Sequence, residues 1–181
     1  VFKQMKIAYK IIWDGLTRLA DAFGSIKVYC VPGNHGRSSK LHSQMSNWDN
    51  ALYFGLQLAS SLQNEHNIAV YTPHQMWMDF KVRNWNVHTR HIGVTQATTA
   101  GPGRKVQNWM DQHNADLFFF GHYHNPDMFS NGYRRIFKNG SLPPTNEYAE
   151  NLGFLDSTGQ WLIGVTDYES VAFSKILIPD G

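Results

Sequence analysis

Ile26-Lys27-Val28-Tyr29-Cys30-Val31-Pro32-Gly33-Asn34-His35-Gly36 is the stretch on which the fold turns. Its first half is apolar and β-branched, as in a short buried strand; its second half holds Pro, two Gly and Asn, which only a loop accommodates. Upstream, Met5, Ala8, Ile11, Ile12, Leu16, Leu19, Ala20 and Phe23 recur at steps of three and four. That spacing predicts one amphipathic helix over residues 2 to 23, ended by Gly24. Helix, strand and loop in this order are α/β grammar. Asn47 is a candidate cap for a helix over 48–63, and 67–71 reads as the next strand. The pattern then changes: 75–82 and 85–91, separated by Arg83-Asn84, predict a hairpin. Gly101-Pro102 is expected to open a helix to about His113 with Pro at the first helical position, and 116–120 is a short apolar strand ending at Gly121. Asn131-Gly132 and Asn139-Gly140 are candidate hairpin turns, with strands expected over 160–167 and 171–178. No repeat or linker interrupts the 181 residues, so one domain over 1–181 is expected, its sheets packed on each other with helices outside.

Composition narrows the function classes. Sixteen Lys and Arg face fourteen Asp and Glu, a net charge of +2, which excludes the domain-wide basic excess of proteins that grip duplex DNA non-specifically. Apolar residues make up 42% and charged residues 17%, and a chain of this size hides about 70% of its unfolded surface on folding, so its core needs neither disulfides nor a metal. Cys30 stands alone and cannot form an internal disulfide. No apolar run approaches the roughly 18 residues of a membrane span, and the opening residues lack the pattern of a signal peptide. A cytosolic, reducing setting without a membrane partner is expected. The chain opens Val1-Phe2-Lys3 without Met and with helix from the start, so it is expected to begin inside a larger polypeptide.

Three segments carry chemistry: Gly33-Asn34-His35, His88-Thr89-Arg90-His91 and Gly121-His122-Tyr123-His124. All lie at expected strand ends. In extended backbone residues i and i+2 point the same way, roughly 6.5 Å apart, so His122 and His124 can face one pocket while Tyr123 turns away. Imidazoles converging at that spacing suit two ions about 3.5–4 Å apart, the separation of binuclear phosphoryl-transfer sites. Alone, Gly-Asn-His is more often a turn, and His-x-His is as often surface or core. Their conjunction in order, each after a strand, is what points to a site. Arg104-Lys105 at the head of a helix and Arg134-Arg135 on a strand are weaker candidates for phosphate contacts, solvated surface being the commoner fate of such pairs. His42, His66, His74 and His113 stand outside any motif.

These residues resemble the calcineurin-like metallophosphoesterase family, whose pattern runs Asp-x-His, Gly-Asp-x-x-Asp, Gly-Asn-His-Asp/Glu, a lone His, then Gly-His-x-His. The last three blocks stand in this chain. The resemblance implies a four-layer αββα sandwich, here without its N-terminal strands, and hydrolysis of phosphodiester bonds with two divalent ions. Mn2+ comes first, with Zn2+, Fe2+ and Mg2+ as alternatives. It implies that Asn34, His91 and His122 hold one ion, that His124 belongs to the other, and that His35 is the acid assisting the leaving oxygen. His91 is preferred to His88 because it sits where the strand gives way to Ile92-Gly93, with His88 left open. Several phage and bacterial members resembling this chain are described as DNA-repair-type exonucleases, which makes nucleic acid the leading substrate class, in a bacterial or phage-infected cytoplasm. A homodimer and a place in a larger complex both stay open.

The departures matter too. Position 36 is Gly where the family usually has an acid, and the chain has no Gly-Asp dipeptide. Its one Asp-x-His, Asp111-Gln112-His113, falls on an expected helix, where i and i+2 point about 200° apart and cannot share an ion. The identified ligands are all neutral, whereas a close ion pair needs an acidic bridge. The chain therefore reads as the C-terminal larger part of the domain, with the missing blocks expected before Val1 and no activity expected from the 181 residues alone. The alternatives are a catalytically degenerate scaffold or binding module of the same fold, or a protein with one structural zinc on His91, His122 and His124.

Overall fold

The first helix, α1 (Phe2–Phe23), has the expected span but buries a different stripe. Tyr9, Trp13, Leu16 and Ala20 pack inward, while Ile11, Leu19 and Phe23 are exposed. Apolar residues lie on more than one side of this helix, and the aromatic stripe at steps of four, three and four offers the larger area to bury. The computed structural model describes residues 2–38, 46–63, 67–73, 75–93, 103–142, 150–151, 158–168 and 172–177. They fall into two compact units, Val1–Met76 and Trp77–Gly181.

In the first unit, β1 (Ile26–Tyr29) and β2 (Ile68–Tyr71) pair in parallel, and α2 (Trp48–Leu62) connects them. Asn47 caps α2 as expected, its side chain accepting from the Asp49 amide at 2.9 Å. Ala20, Cys30, Leu56, Ile68 and Val70 form the core. Cys30 lies one residue beyond β1, and burial pushes its thiol up to about 11, leaving it protonated at neutral pH.

The second unit begins with the predicted hairpin, β3 (Trp77–Val82) and β4 (Trp85–His91), closed by Arg83-Asn84 with Arg83 at φ 52°. β5 (Leu117–Gly121) pairs in parallel with β4, and β6 (Asp127–Asn131) and β7 (Arg134–Lys138) complete a five-stranded sheet in the order β3-β4-β5-β7-β6. Helix α3 (Arg104–Gln112) starts later than expected: Gly103 is its cap and Arg104 its first residue, and Pro102 lies outside the described residues. Its Val106 and Met110 pack with Ile92, Phe118, Phe120 and Ile136 on one face of the sheet. On the other face, Val87, Leu117 and Phe137 meet Trp161 and Ile163 of β8 (Gly159–Gly164), which pairs with β9 (Ala172–Leu177). Helix, sheet and second sheet are thus three stacked layers within this unit.

Asn139-Gly140 does not form the expected hairpin turn. The Asn139 amide donates to Phe120 O at 2.8 Å, continuing the contact of β7 with β5, and the chain leaves the sheet. At Gly140 a Cβ would overlap the Gly159 carbonyl oxygen and Pro126. This glycine is required by close approach rather than by a turn. Backbone and a proline ring cannot swing aside, so Gly140→Ala should destabilise the protein by about 1–3 kcal/mol, the usual range for overpacking. A thermal midpoint equal to that of the parent would show that the chain relaxes there without cost.

Candidate functional site

The parallel register of β4 with β5 sets His91 opposite Gly121, so the strands end side by side and His122 follows at once. His91 Nε2 lies 3.2 Å from His122 Nδ1, with the rings edge to face. Ligand atoms on one tetrahedral zinc-sized ion stand about 3.3 Å apart, given bonds of 2.0–2.1 Å. The pair therefore fits two neighbouring positions of a single ion. The Gly-His-x-His segment is not extended as expected: His122 has φ 119° and His124 φ 62°. Left-handed backbone at two non-glycine residues costs of order 1–3 kcal/mol each, a strain that collects at functional sites. Tyr123 packs against the core beneath α3 and does not simply turn away as expected, since its ring also meets that of His122 edge to face at 5.4 Å.

His124 is exposed, and among the described residues it does not complete a trio of ligand atoms with the pair. Among the described residues, the trio of His, Cys, Asp or Glu whose ligand atoms all lie within 4.8 Å of one another is Asp79, His88 and His113. The donors of the His91–His122 pair suit a divalent ion, and no carboxylate of the described residues completes a trio with them.

Asn34 and His35 belong to the first unit, half-buried and exposed respectively. Their loop is stapled to the head of α2. Asn47 Nδ2 donates to Gly33 O at 2.8 Å, the Gly33 amide donates to Asp49 Oδ2 at 2.8 Å, and the Trp48 amide donates to Gly36 O at 2.7 Å. A Cβ at position 36 would overlap the side-chain oxygens of Asn47 and Asp49. Gly36, where an acid is usual, thus makes room for the Asp49 carboxylate, which arrives from thirteen positions on in sequence. Sequence reasoning missed Asp49 because nothing local connects it with the loop.

Asp79 of β3 binds two histidines, His88 Nδ1 at 2.5 Å and His113 Nδ1 at 2.8 Å. His88 is fully buried, and burial pushes its pKa down to about 4 although the Asp79 carboxylate pulls the other way. Trp77 stacks on His88 and meets His113 edge-on. The two-residue turn of the hairpin sets Asp79 opposite His88, a pairing that sequence reasoning missed although the turn spacing could have signalled it. His113, at the end of α3, carried no such signal. Its partner in Asp-x-His, Asp111, ion-pairs with Arg134, so the two residues of that decoy part company.

The weaker basic candidates have these surroundings. Arg134 is held by Asp111, Arg135 donates to the Gly132 and Arg134 carbonyls, and Lys105 lies 5.6 Å from the Trp109 ring centre. Arg104 is exposed on the first turn of α3. Asp127 lies 3.4 Å from the fully buried Lys138.

Two outcomes follow from these contacts. Asp49→Ala removes the acceptor of the Gly33 amide and should cost about 1–2 kcal/mol, with faster hydrogen exchange at Gly33; unchanged exchange there would mean that the staple does not hold the loop. For His88, the unfolded chain takes up a proton near pH 6.5, while the native state refuses it until about pH 4. Unfolded molecules then bind more protons, so stability should fall as pH drops through that window, by about 3 kcal/mol in all. Urea midpoints read against pH for the parent and for His88→Gln measure this, and parallel profiles would refute it.

The model of the calcineurin-like phosphoesterase family matches residues 6–126. A comparison with curated proteins finds no significant match. Among solved structures, a Vps29 double mutant from Entamoeba histolytica is similar at 16% identity and TM-score 0.50, over 91% of this chain and 88% of that one. Wild-type Vps29 of the same organism, complexed with Zn2+, is 14% identical at TM-score 0.48, over 93% and 88%. A conserved uncharacterized protein of Streptococcus pneumoniae, described as a predicted phosphoesterase, is 13% identical at TM-score 0.39, over 83% and 97%. At such identities the likeness concerns the fold. With the family match spanning two thirds of its length, and the α/β architecture that goes with it, the chain belongs to the calcineurin-like phosphoesterase family.

Proposed function

We propose that this protein is a binuclear metal-dependent phosphodiesterase whose substrate class is nucleic acid, DNA first. The observation that carries the reading is the His91–His122 pair, 3.2 Å apart at the ends of two parallel strands and followed by strained backbone. In this reading His91 and His122 hold one divalent ion, and His124 serves the other. Two such ions, with Mn2+ ahead of Zn2+, Fe2+ and Mg2+, supply Lewis acidity at the phosphoryl oxygens and an activated water. His35 holds a proton for the leaving ester oxygen, and its exposure on the loop is compatible with reaching a substrate. His91 and His122 act through neutral ring nitrogens, so metal uptake should weaken as the medium turns acid. Asp49 keeps the loop in register, so that Asn34 and His35 are presented by a fixed backbone. Arg104, Lys105 and Arg135 are the basic residues proposed to meet the phosphate backbone. A cytoplasmic setting in a bacterial or phage-infected cell belongs to the same reading.

Turnover of a generic phosphodiester and of single-stranded DNA by the full-length protein with manganese tests this. His35→Ala should lower turnover by about 10²–10⁴-fold, the loss expected for a proton-transfer group, with metal content unchanged. His91→Ala should lose both metal and turnover. If the protein leaves both substrates intact, the scaffold reading replaces this one. If His35→Ala empties the site, His35 is a ligand and its role changes.

A further inference from the structure

We propose that Asp79, His88 and His113 form a second, separate zinc site, on β3, β4 and the C-terminal end of α3. The donor set is two imidazoles and one carboxylate, with ligand atoms all within 4.8 Å of one another. Three such protein ligands leave the fourth position of a tetrahedral zinc to water. The donors already aim at a common point: each Asp79 oxygen meets one imidazole Nδ1, at 2.5 and 2.8 Å. Ligand edges around zinc are about 3.3 Å, so each contact opens by less than about 1 Å to admit the ion. Asp79 is the residue able to move, its side chain being 42% exposed while that of His88 is sealed.

The proton accounting closes. Without the ion, both Nδ1 atoms carry the proton donated to Asp79; with it, each imidazole stays neutral, bonds zinc through Nδ1 and carries its proton on Nε2. His88 Nε2 is buried with no hydrogen-bond partner, a penalty borne in either tautomer. Burial keeps His88 neutral at physiological pH, as a ligand must be. Trp77, against both rings, supplies the apolar wall that shields such sites from water. The opposing charge on this face of β4 is Arg90, whose guanidinium lies 3.9 Å from the Trp109 ring centre, where the π face offsets part of its repulsion.

The site uses no residue of the proposed catalytic centre. His88 and His91 are three residues apart on one strand, about 10 Å, and of opposite parity. Zinc here would tie the β3–β4 hairpin to the end of α3, contributing to stability rather than to turnover.

The experiment uses the purified protein carrying His91→Ala and His122→Ala, which removes the histidine pair of the proposed catalytic centre. Zinc titrated calorimetrically should bind at one ion per chain and raise the thermal midpoint, and a chelator should reverse both. Adding His113→Ala or the isosteric Asp79→Asn should weaken binding by about 100-fold or more, a loss of one of three ligands exceeding the roughly 10–100-fold that outer-shell changes alone cause. Circular dichroism identifies any variant that fails to fold, and Asp79→Asn then decides alone, since it preserves shape. No zinc uptake by the background variant, or uptake unchanged by both substitutions, would overturn the proposal. Neither result touches the phosphodiesterase reading, which is measured on the parent with manganese.

Discussion

The parallel pairing of β4 with β5, with His91 opposite Gly121, is the constraint on which the second unit depends. Parallel strands cannot be joined by a tight turn, so the chain must cross over between them, and α3 lies on that crossover. The same register lets both strands end at one level. Loops beyond the carboxyl ends of parallel strands are where α/β folds place their chemistry, because the scaffold beneath is rigid and the loops are free to vary. Here the scaffold is Phe118 and Phe120, fully or almost fully buried under Val106 and Met110. A shift of the register by one residue would turn these aromatics out of the core and separate the histidine pair together.

The loop carrying Asn34 and His35 shows a different solution to the same problem of precision. A loop of Gly, Asn and Gly has little intrinsic preference for one shape. Its shape is set from outside, by the cap of α2: Asn47 serves the helix amide and the Gly33 carbonyl together, and Asp49 takes the Gly33 amide. Gly36 is the condition for this arrangement, since any side chain there would meet those two residues. The carboxylate that the family usually carries in the motif is supplied here through space, next to the same backbone.

Buried polar groups are unevenly distributed. On the α3 side of the sheet, His88 is sealed with one ring nitrogen bonded to Asp79 and the other unpartnered, and Lys138 is sealed beside Asp127 with no hydrogen bond. Each such group costs stability that apolar residues of similar volume would not. On the opposite side the buried residues Val87, Leu117 and Phe137 are apolar, and the Trp161 indole packed with them donates to Lys138 O at 2.9 Å. One face of the second unit's sheet therefore concentrates packing, and the other combines packing with its polar and ionisable chemistry.

From sequence alone came the α/β class, the extent of α1, the cap and span of α2, the β3–β4 hairpin, and the motif blocks that mark the family. These are legible because they rest on local physics: the period of apolar residues, the capping chemistry of Asn47 and the turn geometry of Arg83-Asn84. The buried stripe of α1 was not legible, because several faces of that helix are apolar and only its partners choose among them. Gly140 looked like a turn, yet it is held by the approach of Gly159 and Pro126 from elsewhere in the chain. The left-handed backbone of His122 and His124, the arrival of Asp49 beside Gly36, and the meeting of His113 with Asp79 arise from contacts between residues distant in sequence. Periodicity and capping act over a few residues, whereas these groups meet only because the folded backbone brings separate elements together, and that is the part only tertiary structure decided.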